Sequence, residues 1–463
     1  MHFSVMRDRK SILKSVISLT TVPETMLVGG FALLILIGAI LLTTPWASQP
    51  GKVNFVDALF TSTSAVCVTG LTVVDTATDF TFIGQVIIVI LIQSGGLGIM
   101  TFAALAFQML GLRMSLQSQA VLHDTFFQRD FANRFQHAFK TIIVLTMAIE
   151  GFGVLLLVFF LSQSMNPGAA IFSAIFHSVS AFCNAGFSLR IDNLVGLRDD
   201  YGVMFVIMGL IVFGGLGFSV LHEIWTVLRG NPLDLGENPI RRFSLHSRVV
   251  LWVSGILIFG GAILLLIFGL TADENGWDQK LVNGLFQSVT ARTAGFNSVD
   301  IGKLPSASLF ILVILMFIGG SPGSCAGGVK TSSVAIYCAR LVAGLRGKRD
   351  VQLGDRRLPH ELVSKTDLLM GLAIFWNIAG VLILLTTESA LRVDSLAIIF
   401  EQVSAFGTVG LSTGLTPNLS TQGKLWLIAT MFVGRLGPLT IAFWMIPKIT
   451  TSVRYPKGTV MIG

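Results

Sequence analysis

Charge is scarce in this chain. Asp, Glu, Lys and Arg together make up 12% of its 463 residues, against about 25% in an average soluble domain. Cysteine is scarce too: Cys67, Cys183, Cys325 and Cys338 have no metal-ligand spacing and imply no disulfide framework. No nucleophile, base and orienting partner stand at a spacing that would build an enzyme site. Paired intramembrane acids of the kind that couple ions to solutes are also missing. What remains is apolar, with 53% hydrophobic residues arranged in runs near the ~20 residues that cross a bilayer. The formal charge of +7 lies in short loops between those runs, so the lipid bilayer explains it and a nucleic-acid partner is not expected.

Runs long enough to cross lie at about 24–45, 81–108, 139–162, 202–228, 247–270, from 308, 367–387 and 424–447. Between them sit apolar segments too short to cross, which suit re-entrant helices. They begin at Asn54, Asn166-Pro167, Asp278 and Asp394, residue types that cap a helix start. The first run, behind Arg7, Arg9, Lys10 and Lys14, is too long for a signal-peptide core and reads as a retained span. Loops on the side of both termini carry 22 Lys and Arg against 7 opposite. Both termini are therefore expected in the cytoplasm.

The short segments end in related sequences: Ser64-Ala-Val-Cys-Val-Thr-Gly-Leu-Thr72, Ser180-Ala-Phe-Cys-Asn-Ala-Gly-Phe-Ser188, Val289-Thr-Ala-Arg-Thr-Ala-Gly-Phe-Asn297 and Ser404-Ala-Phe-Gly-Thr-Val-Gly-Leu-Ser412. Overlaid without gaps they share Gly70, Gly186, Gly295 and Gly410, at steps of 116, 109 and 115 residues. This fourfold repeat predicts an all-α integral membrane protein of four tandem units. Each unit is crossing, pore helix, glycine loop and crossing, with pseudo-fourfold symmetry about one central pore. The expected boundaries are a cytoplasmic N-terminus 1–23, units 24–110, 111–230, 231–345 and 346–447, and a tail 448–463. Irregular backbone at membrane depth is tolerated where it lines a cavity. Four such loops can turn carbonyls toward an axis and replace a cation's water shell. The candidate filter residues are Val68, Thr69 and Gly70; Asn184, Ala185 and Gly186; Thr293, Ala294 and Gly295; Thr408, Val409 and Gly410. A carbonyl cage without carboxylates suits a monovalent ion better than calcium.

A second set of glycine stations follows at 95–98, 214–217, 319–323 and 434–437. The first two read as close-packing or bending sites within a helix. The third cannot be ordinary helix: Gly319, Gly320, Ser321, Pro322, Gly323, Ser324, Cys325, Ala326, Gly327 and Gly328 hold five glycines and a proline. It is expected to form an intramembrane gating loop, with Lys330 at its cytoplasmic end. Arg435, a cation at membrane depth, is placed to add a positive barrier or to hold the loop carbonyls. Arg292 is expected to brace the filter from behind. Glu150 reads as structural with no cationic partner apparent, and His177 as packed or hydrogen-bonded. The stretch from Gly323 to Thr331 imitates a phosphate-binding loop, but Val329 breaks the spacing.

Taken together, TSTSAVCVTGLT, SVSAFCNAGFSL, QSVTARTAGFN, QVSAFGTVGLST, GGSPGSCAGGVKT and the Arg435 helix resemble the Trk/Ktr/HKT superfamily of potassium transporters over residues 24–455. Only 23 residues precede the first crossing, so the resemblance is to the KtrB-type membrane subunit. It implies a potassium filter at the four glycines, a gating loop at 319–328 and a gating arginine at Arg435. It further implies a bacterial potassium uptake system in the cytoplasmic membrane, a homodimer with one pore per subunit, and a cytoplasmic ring of Rossmann-like nucleotide-binding subunits. Sodium as activator is common in that branch, and no covalent cofactor is implied. Cys325 departs from the small hydroxyl residue expected there. The competing reading is a sodium-coupled secondary symporter, which units lying the same way up argue against.

Overall fold

The computed structural model describes residues 23–98, 135–229, 243–269, 276–348, 350–391 and 393–445. The basic N-terminus, the end of the run 81–108 with the residues up to 134, and the C-terminal tail of the expectations above lie outside them.

Among the described residues the chain is all-α apart from a hairpin of two-residue strands, β1 (Gln352–Leu353) and β2 (Arg356–Arg357). Its helices follow one order four times. The first unit has α1 (Pro23–Leu42), the short α2 (Phe55–Val66) and α3 (Phe82–Leu97). The second has α4 (Phe135–Leu161), α5 (Pro167–Phe182), α6 (Tyr201–Leu216) and α7 (Phe218–Arg229). The third has α8 (Leu245–Phe268), α9 (Trp277–Thr290), α10 (Ser306–Phe317) and α11 (Thr331–Leu345). The fourth has α12 (His360–Thr387), α13 (Ser395–Gly407), α14 (Thr421–Leu436) and α15 (Pro438–Met445).

Burial is inverted relative to length. Thr141–Leu161, Leu245–Phe268 and His360–Thr387 are long and apolar enough to cross a membrane, and they carry exposed Phe152, Phe159, Trp252, Phe259 and Phe375. An apolar outer surface of that extent faces lipid rather than water. The short helices and the turns after them supply the core instead, with Phe60, Phe176, Phe182, Phe286, Phe296, Phe400 and Phe406 fully buried. Serine hydroxyls pin the short helices to the long ones. Ser62 donates to the Ile35 carbonyl, Ser178 to Glu150 and Ser288 to Ile258, each at 2.7 Å.

Two of the four expected caps form. Asn54 Oδ1 accepts the Asp57 amide at 2.9 Å, and Asp394 Oδ1 accepts the Leu396 amide at 3.3 Å. Asn166 makes no side-chain cap bond; the proline after it has already removed one amide from those needing a partner. In the third unit Gly276 is the cap, and Asp278 instead accepts the Tyr201 hydroxyl at 2.7 Å.

The larger correction concerns the second helix of each unit. Runs 81–108, 202–228 and 424–447 are expected as unbroken crossings, yet α3, α6 and α14 stop after 16 residues at Gly98, Gly217 and Gly437. Sixteen residues rise about 24 Å, short of a ~30 Å hydrocarbon core. At the stops the glycines take φ of +80°, +89° and +86°, and α7 leaves α6 at 102°. The first two stations do pack closely, since a Cβ on Gly95 or Gly214 would strike the Val66 or Phe182 carbonyl oxygen, and they also end the helix.

Candidate ion-conducting site

The four loop glycines meet in a closed ring. A Cβ on Gly70 would fall 3.1 Å from the Gly186 Cα, one on Gly186 2.9 Å from Gly295, one on Gly295 3.1 Å from Gly410, and one on Gly410 3.0 Å from Gly70. Each would also strike the carbonyl oxygen just before the next glycine: Ala185, Ala294, Val409 and Thr69 in turn. Only glycine fits, since no side chain can pass and φ is +91°, +69°, +76° and +95° around the ring. Two residues earlier, Val68, Asn184, Thr293 and Thr408 also have positive φ, 56°, 59°, 71° and 49°. Three of them are β-branched, for which this region is a genuine outlier, costing about 1–3 kcal/mol each.

Hydrogen bonds behind the turns hold that strain. The amides of Thr69, Ala185 and Val409 donate to the carbonyls of Ser64, Ser180 and Ser404 at 2.7, 2.7 and 2.9 Å. Ser64 and Ser404 hydroxyls accept the Gly70 and Gly410 amides at 3.0 and 3.2 Å. The third loop differs. Ala294 and Gly295 amides both return to the Thr290 carbonyl, at 2.9 and 3.4 Å, and the buried Thr290 hydroxyl has no partner. Thr290 thus stands where Ser64, Ser180 and Ser404 stand, one residue closer to its glycine. The gapless overlay of the four sequences is corrected here: Ser288-Val-Thr-Ala aligns with Ser178-Val-Ser-Ala, and the third loop is one residue short.

A register missed in the sequence lies further back along the short helices. His177 Nε2 reaches the Ser188 hydroxyl at 3.0 Å, and Gln287 Nε2 donates to Ser298 at 3.4 Å. Glu401 accepts the hydroxyls of Ser412 and Thr416, both at 2.6 Å, and the Thr413 amide at 2.9 Å. All three brace the turn that follows their filter loop. Their chemistry differs so much that no motif marks them; only their common place, three residues before Ser180, Thr290 and Ser404, could have. The Lys424 ammonium, 2.8 Å from Asp57, links the start of α14 to the start of α2.

Beneath the ring, 319–328 forms a loop with a neck. The Gly319 amide donates to the Val329 carbonyl at 2.8 Å, and the Thr331 amide to Gly320 at 3.0 Å. Helices that end leave carbonyls without partners, and the broken helices aim theirs at this loop. Gly215 and Gly214 accept from the Ser321 and Cys325 amides at 3.0 and 3.3 Å, and Gly434 accepts from Gly328 at 3.2 Å. In return the Phe218 amide, opening α7, donates to Gly323 at 3.2 Å. Arg435 spans the remaining gap, donating through one nitrogen to the Cys325 carbonyl and through the other to Gly95 and, at 3.5 Å, Gly96. Lys330 Nζ donates to Ala326 at 2.6 Å. A Cβ on Gly327 would sit 3.0 Å from the Thr408 Cβ, and one on Gly328 3.2 Å from the Gly407 Cα. The loop therefore lies against the base of the fourth filter turn.

Arg292 is buried and donates to Ser254 at 3.0 Å, so its side chain runs to α8. Glu150 is not alone in its helix: Gln93 donates to it at 3.2 Å, and the Cys183 thiol approaches its other oxygen at 3.9 Å.

The family model described as TrkH, cation transport protein, matches residues 25–451. The chain belongs to this family. TrkH-family membership makes it a multi-pass membrane transporter and not an enzyme. Ktr system potassium uptake protein B of Bacillus subtilis is 37% identical over 447 residues, covering 95% of this chain and 97% of that protein. The potassium/sodium uptake protein NtpJ of Enterococcus hirae is 35% identical over 461 residues, covering 98% and 100%. Among solved structures, the potassium transporter TrkH from Vibrio parahaemolyticus superposes with a TM-score of 0.70 at 20% identity, covering 91% of this chain and 84% of that one. At that identity the likeness establishes the fold alone.

Proposed function

We propose that this TrkH-family chain is the potassium-translocating subunit of a bacterial Ktr-type uptake system in the cytoplasmic membrane. The closed ring of Gly70, Gly186, Gly295 and Gly410 carries the reading. The units 24–110, 111–230, 231–345 and 346–447 act as four quadrants of one pore. Potassium sheds water at the ring and is held by carbonyls of residues 68–70, 184–186, 293–295 and 408–410. The short helices end at these turns, and their partly negative C-terminal ends favour a cation there. Below, 319–328 blocks the path and Arg435 holds it shut by bonding the Cys325 carbonyl and those of α3. Opening requires Arg435 and the Gly214, Gly215 and Gly434 carbonyls to release the loop.

The names of the B. subtilis and E. hirae relatives support potassium as the ion and leave sodium as an activator. The "Ktr system" wording supports a separate regulatory partner. We assign that role to a cytoplasmic Rossmann-like nucleotide-binding ring beneath a homodimer of this chain, docking on basic loops such as 340–365, with both termini cytoplasmic. Rubidium uptake into proteoliposomes, with and without an inward sodium gradient, tests the reading. Uptake that follows the rubidium gradient and is competed by potassium is expected. Uptake that runs only against a collapsing sodium gradient would sink the passive pore.

A further inference from the structure

The four loop glycines share a backbone conformation and differ in what their carbonyls meet. Asn193 Nδ2 donates to the Gly186 carbonyl at 3.2 Å. Among the described residues, none donates to the Gly70, Gly295 or Gly410 carbonyl. The Asn193 carboxamide is held at both ends. Its Oδ1 accepts the Asn297 amide at 3.4 Å, and beside it the Leu194 amide donates to the Asn297 carbonyl at 3.2 Å. These partners fix which end is which, because an N–H must meet the oxygen and a carbonyl the NH2. The backbone of Asn193 stands at φ +57°, a left-handed turn in which asparagine is several-fold enriched. Its amide returns to the Arg190 carbonyl at 3.1 Å, and its carbonyl accepts the Ser188 hydroxyl at 3.2 Å. One side chain thus spans two quadrants, with its donor on the last filter residue of the second and its acceptor two residues past the glycine of the third.

We propose that Asn193 is a specificity-determining residue: by engaging the Gly186 carbonyl it weakens one of the four glycine oxygens and tilts the filter toward large monovalent cations. The proposal rests on the reading of the ring as an ion filter, and it makes that filter unequal at its four corners. The amide hydrogen of Asn193 places positive partial charge beside the Gly186 oxygen and competes with the ion for it. Replacing an ion's water shell depends on the number and field strength of the carbonyls that face it. A small cation holds its water more tightly and needs the stronger field, so lithium loses more than rubidium when one oxygen is weakened, and caesium loses least. Asn193 acts through the Gly186 carbonyl and does not itself touch the ion.

The test titrates the purified full-length chain with lithium, rubidium or caesium chloride at constant ionic strength. The rise in melting temperature gives an affinity for each ion by linkage. Rubidium uptake into proteoliposomes, competed by lithium or caesium, gives the same ratios during transport. Asn193→Gly keeps the turn, since glycine takes positive φ freely, and frees the Gly186 oxygen. Asn193→Asp keeps an acceptor for the Asn297 amide and removes the donor. In both, the affinity for lithium relative to rubidium is expected to rise about fivefold, the worth of one hydrogen bond, while that for caesium relative to rubidium falls. Asp192→Asn removes a charge paired with Arg190 at 3.6 Å on the same turn. It should move all three ions together and leave their ratios as in the wild type. Each variant's own melting transition shows whether it has folded, and either Asn193 variant alone decides the matter. Unchanged ratios overturn the proposal. So does a gain by lithium and caesium together, which is what a merely loosened filter gives. A wild-type chain that takes up no rubidium but is stabilised by these ions counts against the transport reading alone, and the titration still decides Asn193. A wild-type chain that responds to no ion overturns both.

Discussion

The third unit and the other three obey the same rule at the ring and different rules on either side of it. Units one, two and four run six residues from the bracing serine to the loop glycine, and the third runs five, from Thr290. Units one, two and four end their second helix at a single glycine with positive φ. The third opens instead into the loop from Ile318 to Lys330 before helix resumes at Thr331. Yet Thr293 and Gly295 take the same left-handed turn as their counterparts. The ring therefore constrains its two inner positions and leaves the approach free. The third unit opens its helix break into a loop, and the second and fourth units supply the carbonyls and the guanidinium that bond it.

That contrast can be broken most severely at the ring itself. Gly410→Val combines the left-handed penalty of about 1–3 kcal/mol with a clash against Thr69 and Gly70, and rubidium uptake should be lost. Gly414→Ala is the control: its φ is +89° but nothing lies within 4 Å. It should lower the melting temperature through strain of about 1–3 kcal/mol while uptake per folded molecule persists. Next comes Arg435→Gln, which removes the charge bonded to the loop and to α3. Losing hydrogen bonds from a charged donor costs about 1.5–3 kcal/mol each. The initial rubidium uptake rate should rise because the loop is released; an unchanged rate would detach Arg435 from gating. Smaller still, Ser404→Ala takes away the hydroxyl that accepts the Gly410 amide, worth about 1 kcal/mol. Sodium should then compete better with rubidium. Thr290→Val should change neither competition nor melting temperature, because that hydroxyl bonds nothing. Equal effects from the two would erase the distinction drawn for the third loop. Least of all, Lys52→Ala removes a pair with Asp79 whose lysine is 59% exposed, and melting temperature should move by a degree or so, in keeping with about 0.5 kcal/mol or less.

Much of this was legible because it repeats. Four apolar runs with glycine at one offset announce four equivalent turns, and Asn54 and Asp394 announce two helix starts. The positive φ of Val68, Thr293 and Thr408 could not be read, since β-branched residues avoid that region and only the surrounding bonds force them into it. The one-residue shortening was hidden because the overlay was anchored on the glycine, which is the part that does not move. Glycine stations at 95–98 and 214–217 were legible as packing or bending sites, but a sequence does not reveal which carbonyls a broken helix leaves open. Glu150 was read without a cationic partner, and the partner it has, Gln93, is uncharged and lies on another unit, where no sequence pattern points to it.

The seam between the first and last quadrants joins Thr69 and Gly70 to Gly410, 340 positions away along one chain. A ribosome must therefore finish nearly the whole polypeptide before the axis is enclosed. For the pore proposed above, nascent or truncated chains would then have no encircled path through which a cell could lose ions, and chain order alone would prevent premature leakage.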